Sequence, residues 1–380
     1  MQVEVRPTML TWARERSQLD VAYFGKRFPR LQQWEHGDAR PTFKQLESFA
    51  KATHTPIGFL FLAEPPQEVV PIPDFRTVAD ASVRQPSPDL LDTVYLCQQR
   101  QDWYRDFARS AGDDRLHFVE SIRVGDDIVR SAGIIRTALG FEVEARAQLP
   151  TWTEALRRFI EQADKLGVLV MVSGVVGSNT RRKLNPKEFR GFALADDLAP
   201  LVFINGADSK AAQMFTLAHE LAHIWLGESA LSDAEAFAVP ALAVERWCNR
   251  VAAELLVPLE AFRAAHEPGS ELRAELDRLA RRFKVSTLVI LRRMHDSGSL
   301  VGARYWEAYE HELTRLREIA NGAGGDFYRS IGARASKRFA RAVVTSALEG
   351  RSSFTEAFRL LGFKKMSTFD QLGRNLGVLF

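Results

Sequence analysis

From residue 8 to 62 apolar positions recur at helical spacing in short stretches separated by polar breaks. The pattern predicts helices over Thr8–Arg16, Asp20–Arg27, Arg30–Glu35, Thr42–Ala52 and Pro56–Leu62. His36-Gly37-Asp38 and Arg40-Pro41 mark a loop, and Thr42 with Gln45 three residues on forms a capping box. The periodicity then stops at EPPQEVVPIPDFR, where four prolines between Pro65 and Pro73 fix φ and block helix. That stretch reads as an extended linker, and the apolar alternation of Val70-Pro71-Ile72-Pro73-Asp74-Phe75-Arg76 favours a docked strand over a bare spacer.

Helical periodicity returns over Pro88–Ala111, Ile122–Leu139 and Pro150–Leu166, the last placing Leu156, Phe159, Ile160 and Ala163 on one face. It gives way to short apolar runs bounded by Gly, Asp, Asn or Pro at Val168–Val172, Gly191–Leu194 and Leu201–Ile204, which predict buried strands. A helix follows Asn205-Gly206, capped by Asp208 or Ser209, running through Trp225 and ending at Gly227. Helices over Ala241–Leu255 and Ser270–Phe283 come next, and residues 303–380 read as wholly helical, with glycine breaks at 322–325, 350 and 362. Strands followed by helices give an α+β, mostly helical fold with a small sheet.

Composition narrows the class. Of 380 residues 46% are apolar and 26% charged, ordinary for a packed protein. Two cysteines, Cys97 and Cys248, cannot build a disulfide framework and read as reduced thiols. The first sixteen residues have no apolar signal core, and the longest apolar stretch, Gly167 to Val176, is too short to span a bilayer. A cytoplasmic protein with no membrane partner is expected. The net charge of +3 is unevenly spread: residues 321–380 hold ten Lys/Arg against four Asp/Glu, whereas residues 1–70 hold nine against eight. The basic C-terminal segment reads as a solvated face around Phe339, Val343, Leu348, Phe354, Phe358 and Leu361, in preference to a nucleic-acid surface.

The chemistry concentrates at His219-Glu220-Leu221-Ala222-His223. Two imidazoles four residues apart share one face of a helix and can hold one Zn²⁺. Glu220, rotated about 100° from His219, can stand beside the metal as general base without ligating it. A catalytic zinc needs a third protein ligand and an open position. Glu245, on the next helix, is the best candidate; Glu235 and Glu254 are weaker. Asn249, one turn after Glu245, is placed to fix the tautomer of His219 or His223. Cys248 could be a soft ligand but fits a buried core position better. His266, His295 and His311 read as surface or structural. Arg181, Arg182, Arg190 and Tyr305 are candidate oxyanion donors, among which the sequence does not choose.

FTLAHELAHIWLG followed by ERWCNRVAAELLVP resembles the ImmA/IrrE metallopeptidases over roughly residues 150–300. The second motif is matched by Glu245, Asn249, Ala252, Ala253, Leu255, Leu256 and Pro258, with Cys248 where Ala is usual and Val251 where Phe is usual. The resemblance implies His219, His223 and Glu245 as zinc ligands and Glu220 as catalytic base.

Residues 10–61 resemble an XRE-type helix-turn-helix domain at Leu10, Arg14, Leu19, Val21, Ala22, Trp34, Glu35, Gly37, Pro41, Leu46 and Ala50. They depart from it at the turn, where Lys26-Arg27-Phe28-Pro29 replaces the usual Leu-Gly-Val-Ser, and the span from Val21 to Trp34 is one residue short. Arg30, Gln32 and Gln33 are the candidate DNA contacts.

The implied organisation is a five-helix helix-turn-helix domain (1–64), a Pro-rich linker with helices (65–140), a zincin-like metallopeptidase domain (141–300) and a basic helical domain (301–380). The implied activity is a zinc-dependent endopeptidase acting on a repressor-like or other regulatory protein. The alternative is a DNA-binding regulator or antitoxin of a toxin–antitoxin module, with a cognate toxin and operator DNA as partners.

Overall fold

The structure, a computed structural model, describes residues 2–75, 85–232, 242–322 and 334–379. Two compact units divide the chain, residues 1–71 with 82–95, and residues 72–81 with 96–380.

In the first unit α1 (Pro7–Arg16), α2 (Val21–Arg27), α3 (Leu31–His36) and α4 (Phe43–Thr53) enclose an apolar core, and a 3₁₀ turn over Ile57–Phe61 stands where a fifth helix was expected. Thr42 and Gln45 form the capping box at the start of α4. Phe28, at the departing turn, is buried against Phe24, Trp34 and Phe49, so the turn is held by an aromatic cluster. Arg14 pairs with Glu35 at 2.8 Å, tying α1 to α3.

The second unit is built around α9 (Lys210–Leu226), buried from Ala211 to its last residue. One side of α9 packs on a four-stranded mixed sheet and another on α10 (Ala243–Leu256). The sheet order is β1-β3-β2-β4, from Leu169–Ser173, Leu201–Asn205, Gly191–Leu194 and Ala230–Ser232. β1 and β3 run parallel; β2 is antiparallel to both β3 and β4. The first three strands lie within a residue of their expected bounds. β4 was not foreseen, because three residues carry no periodicity.

Around this centre lie the part of α5 (Pro88–Ala111) from Leu96 onward, α6 (Ile128–Leu139), α7 (Val143–Ala147), α8 (Trp152–Leu166), α11 (Leu259–Ala265), α12 (Leu272–Phe283), α13 (Thr287–Asp296) and α14 (Ala303–Gly322). The helix expected from Ile122 starts later, because Gly125 sits at φ 105° and Asp127 caps the chain through the Arg130 amide. α11 and α13 were not anticipated.

At the C-terminus α15 (Lys337–Leu348), α16 (Phe354–Leu361) and α17 (Met366–Asn375) form a small bundle, α15 resting on α8 and β1. Phe339, Val343 and Leu361 are buried as expected, but Leu348 and Phe354 are 41% exposed, since each sits at a helix end. Part of the basic surplus is engaged internally: Lys337 pairs with Glu161 at 2.9 Å, and the Arg338 guanidinium donates to the Tyr104 hydroxyl at 2.6 Å. No helix of the described residues is long and apolar enough to cross a membrane.

Candidate metal centre

Ser209 caps α9 through the Ala212 amide, and Gly227 ends it in the left-handed region at φ 72°. The helix between them turns His219 and His223 towards α10, where Glu245 stands in the first turn and Asn249 one turn later. All four side chains are buried, as is Glu220.

His219 Nε2 lies 3.2 Å from Glu245 Oε2, His223 Nε2 lies 3.0 Å from Glu245 Oε1, and the two Nε2 atoms are 3.1 Å apart. A tetrahedral ion with bonds of about 2.0–2.1 Å has ligand–ligand edges of roughly 3.3 Å, close to these separations. The donor set also fits. Asn249 Oδ1 accepts from His219 Nδ1 at 2.9 Å, which leaves the His219 Nε2 lone pair facing the triangle. Burial lowers the pKa of His223 and favours its neutral, ligating form, although Glu245 opposes the shift. The Glu245 carboxyl pays a burial cost, yet His219 and His223 hold it well below the usual carboxylate range. Two imidazole nitrogens and the two oxygens of one carboxylate therefore converge in a buried space, an arrangement that a cation relieves. Among the described residues these are the only three His, Cys, Asp or Glu side chains grouped closely enough to hold one ion.

Glu220 stands apart from the triangle. Both its oxygens are buried. Burial and the nearby Glu245 charge raise its pKa well above the ordinary value, the Ser232 hydroxyl working in the opposite direction. The space around it depends on Gly191 of β2. A Cβ there would stand 2.6 Å from the Thr216 methyl, 2.8 Å from the Phe203 carbonyl and 3.2 Å from Glu220 Oε1.

Of the other residues singled out by sequence, Cys248 is fully buried, and burial together with Glu245, Glu220 and Glu228 keeps its thiol protonated. It sits in the core, outside the His219–His223–Glu245 group. Glu254 faces Arg293 at 2.7 Å, away from the cluster. Glu235 lies outside the described residues. His266 pairs with Glu275 at 3.0 Å and His295 packs on Tyr305. Arg190 faces Asp208 at 3.3 Å near the start of α9. Arg30, which precedes α3, and Gln32 and Gln33, on the side of α3 away from Leu31 and Trp34, are all exposed.

Sequence reasoning missed Ser232, Gly191 and Phe75. Ser232 Oγ is 3.5 Å from His223 Nε2, and the Phe75 ring lies 6.1 Å from the His223 ring, centre to centre. The docked strand favoured for residues 70–76 was the available signal for Phe75, but nothing pointed to its neighbour.

No curated protein matches the chain. Residues 335–375, which form α15–α17, match the model of a domain of unknown function. Residues 163–295, which supply every member of the cluster, match the Peptidase M78 family model, described as the IrrE N-terminal-like domain, and this segment is thus similar to the ImmA/IrrE metallopeptidases.

Proposed function

We propose that the protein is a cytoplasmic zinc-dependent endopeptidase that cleaves a regulatory protein, such as a transcriptional repressor. The observation that carries this reading is the buried His219–His223–Glu245 group with the buried Glu220 carboxyl close to Glu245. Zinc held there supplies Lewis acidity towards the carbonyl of the scissile peptide bond. Glu220 takes a proton from the attacking water oxygen and delivers it to the leaving amine nitrogen as the C–N bond breaks. Its raised proton affinity suits a base that must hold that proton between the two steps. Asn249 keeps His219 in the ligating tautomer, and Glu245 completes the negative side of the site.

The test compares new protein N-termini in cells expressing wild-type protein and Glu220→Gln. Termini that appear only with the wild type support the reading. If zinc-loaded wild type and Glu220→Gln give the same set, it fails.

The shared exposure of Arg30, Gln32 and Gln33 favours operator DNA as the ligand of the N-terminal helices. In a gel shift on the DNA upstream of the protein's own gene, Arg30→Ala with Gln33→Ala should weaken binding. No shift with the wild type removes that role.

A further inference from the structure

β4 lies at an edge of the sheet, and a sheet edge presents unpaired backbone groups unless something covers them. Here the chain covers its own edge. Asp74 bridges Leu231 in parallel, the Phe75 amide donates to the Leu231 carbonyl at 2.9 Å, and the Leu231 amide donates to the Pro73 carbonyl at 2.9 Å. Pro73 has no N–H, so the ladder cannot continue through it. Ile72 is buried ahead of the pairing, whereas Val69 is 64% exposed.

The covered edge leads to the reactive groups. Ser232, next along β4, places its hydroxyl 3.5 Å from His223 Nε2 and pairs across the sheet with Gly191, the residue packed on Glu220. Phe75, beside Ser232, sets its ring against the ring of His223. A strand laid on β4 therefore passes the metal cluster and the base together.

We propose that Pro73–Phe75 is a resident strand that shields the metal cluster and must leave β4 before an extended peptide can pair there. This rests on the peptidase reading only for the identity of the incoming peptide. Among the described residues the pairing includes two backbone hydrogen bonds, and it sets the half-buried Phe75 ring against His223. Added strands of this kind gain affinity from the main chain and selectivity from alternate side chains, so the competing peptide would present an aromatic side chain where Phe75 stands.

The test uses the full chain. In metal-free protein carrying Ser232→Cys, the new thiol is the reporter, since Cys97 and Cys248 are buried. Ellman's reagent should react about tenfold faster once Phe75→Ala is added, while Phe75→Tyr should stay near the parent rate. In zinc-loaded protein with Ser232 intact, dipicolinate should strip the metal about fivefold faster from Phe75→Ala than from wild type, which keeps the test decisive if Ser232→Cys does not fold. Rates independent of Phe75 overturn the shield and leave the metal site standing. A Phe75-dependent thiol rate in a protein that takes up no zinc does the reverse.

Discussion

Asn249 shows how one side chain can set the chemistry of another. Its Oδ1 accepts from His219 Nδ1, and a ligating histidine depends on such a partner for its tautomer and ring angle. Asn249→Ala is expected to weaken zinc affinity about 10–100-fold, measured by competition with a chromogenic chelator, with the fold retained. Gly191 acts through the absence of a side chain. Gly191→Ala would press on the Thr216 methyl and the Phe203 carbonyl, and should cost about 1–3 kcal/mol in urea unfolding. Legibility at this scale was uneven. His219, Glu220 and His223 share a local helical spacing, and the sequence also marked Glu245 and Asn249 through the spacing of a second helix. Gly191, Ser232 and Phe75 reach the site through strand pairing, which leaves no local pattern to read.

The helix that carries Glu245 and Asn249 must be held at its far end, where its last carbonyls lack partners within the helix. Three arginines satisfy them. Arg136 donates to the Glu254 and Leu255 carbonyls at 2.7 and 3.2 Å, Arg146 to Leu256, and Arg293 to Val257 at 2.7 Å. Positive charge at a helix C-terminus is also favourable to the helix dipole. Arg293 faces the buried Glu254 carboxylate as well, so Arg293→Met removes the carboxylate's ionic partner, leaving it the Leu259 amide, and the Val257 carbonyl's donor together. A loss of about 3–5 kcal/mol in urea unfolding is expected, and less for Arg293→Lys. Sequence periodicity placed α9 and α10 to within two residues, because each has a continuous apolar face. It could not show that distant arginines on α6, α7 and α13 end α10, since a long basic side chain looks the same in sequence whether it caps a helix or meets water.

Across the molecule, stability should follow the carboxylates that folding holds ionised. Glu275 receives hydrogen bonds from the Arg278 guanidinium and the Glu267 amide and faces His266; against the cost of burial these hold its pKa at about 2, below the ordinary 4.5. A carboxyl with a lowered folded pKa adds stability above its unfolded value and loses it as the pH falls towards the folded one. The stability difference between wild type and Glu275→Gln should therefore be full above pH 4.5 and shrink towards pH 2, followed by urea midpoints. The mostly helical architecture with a small sheet was readable from the alternation of helical and strand patterns, and the core of the C-terminal bundle only in part, because residues at helix ends escape burial. The most direct test at this scale is calorimetric titration of zinc into the metal-free full chain. One zinc per chain is expected, abolished by His223→Ala and by Glu245→Ala but kept by Glu220→Gln. Zinc binding that survives His223→Ala, or none in the wild type, would contradict a metal centre on His219, His223 and Glu245.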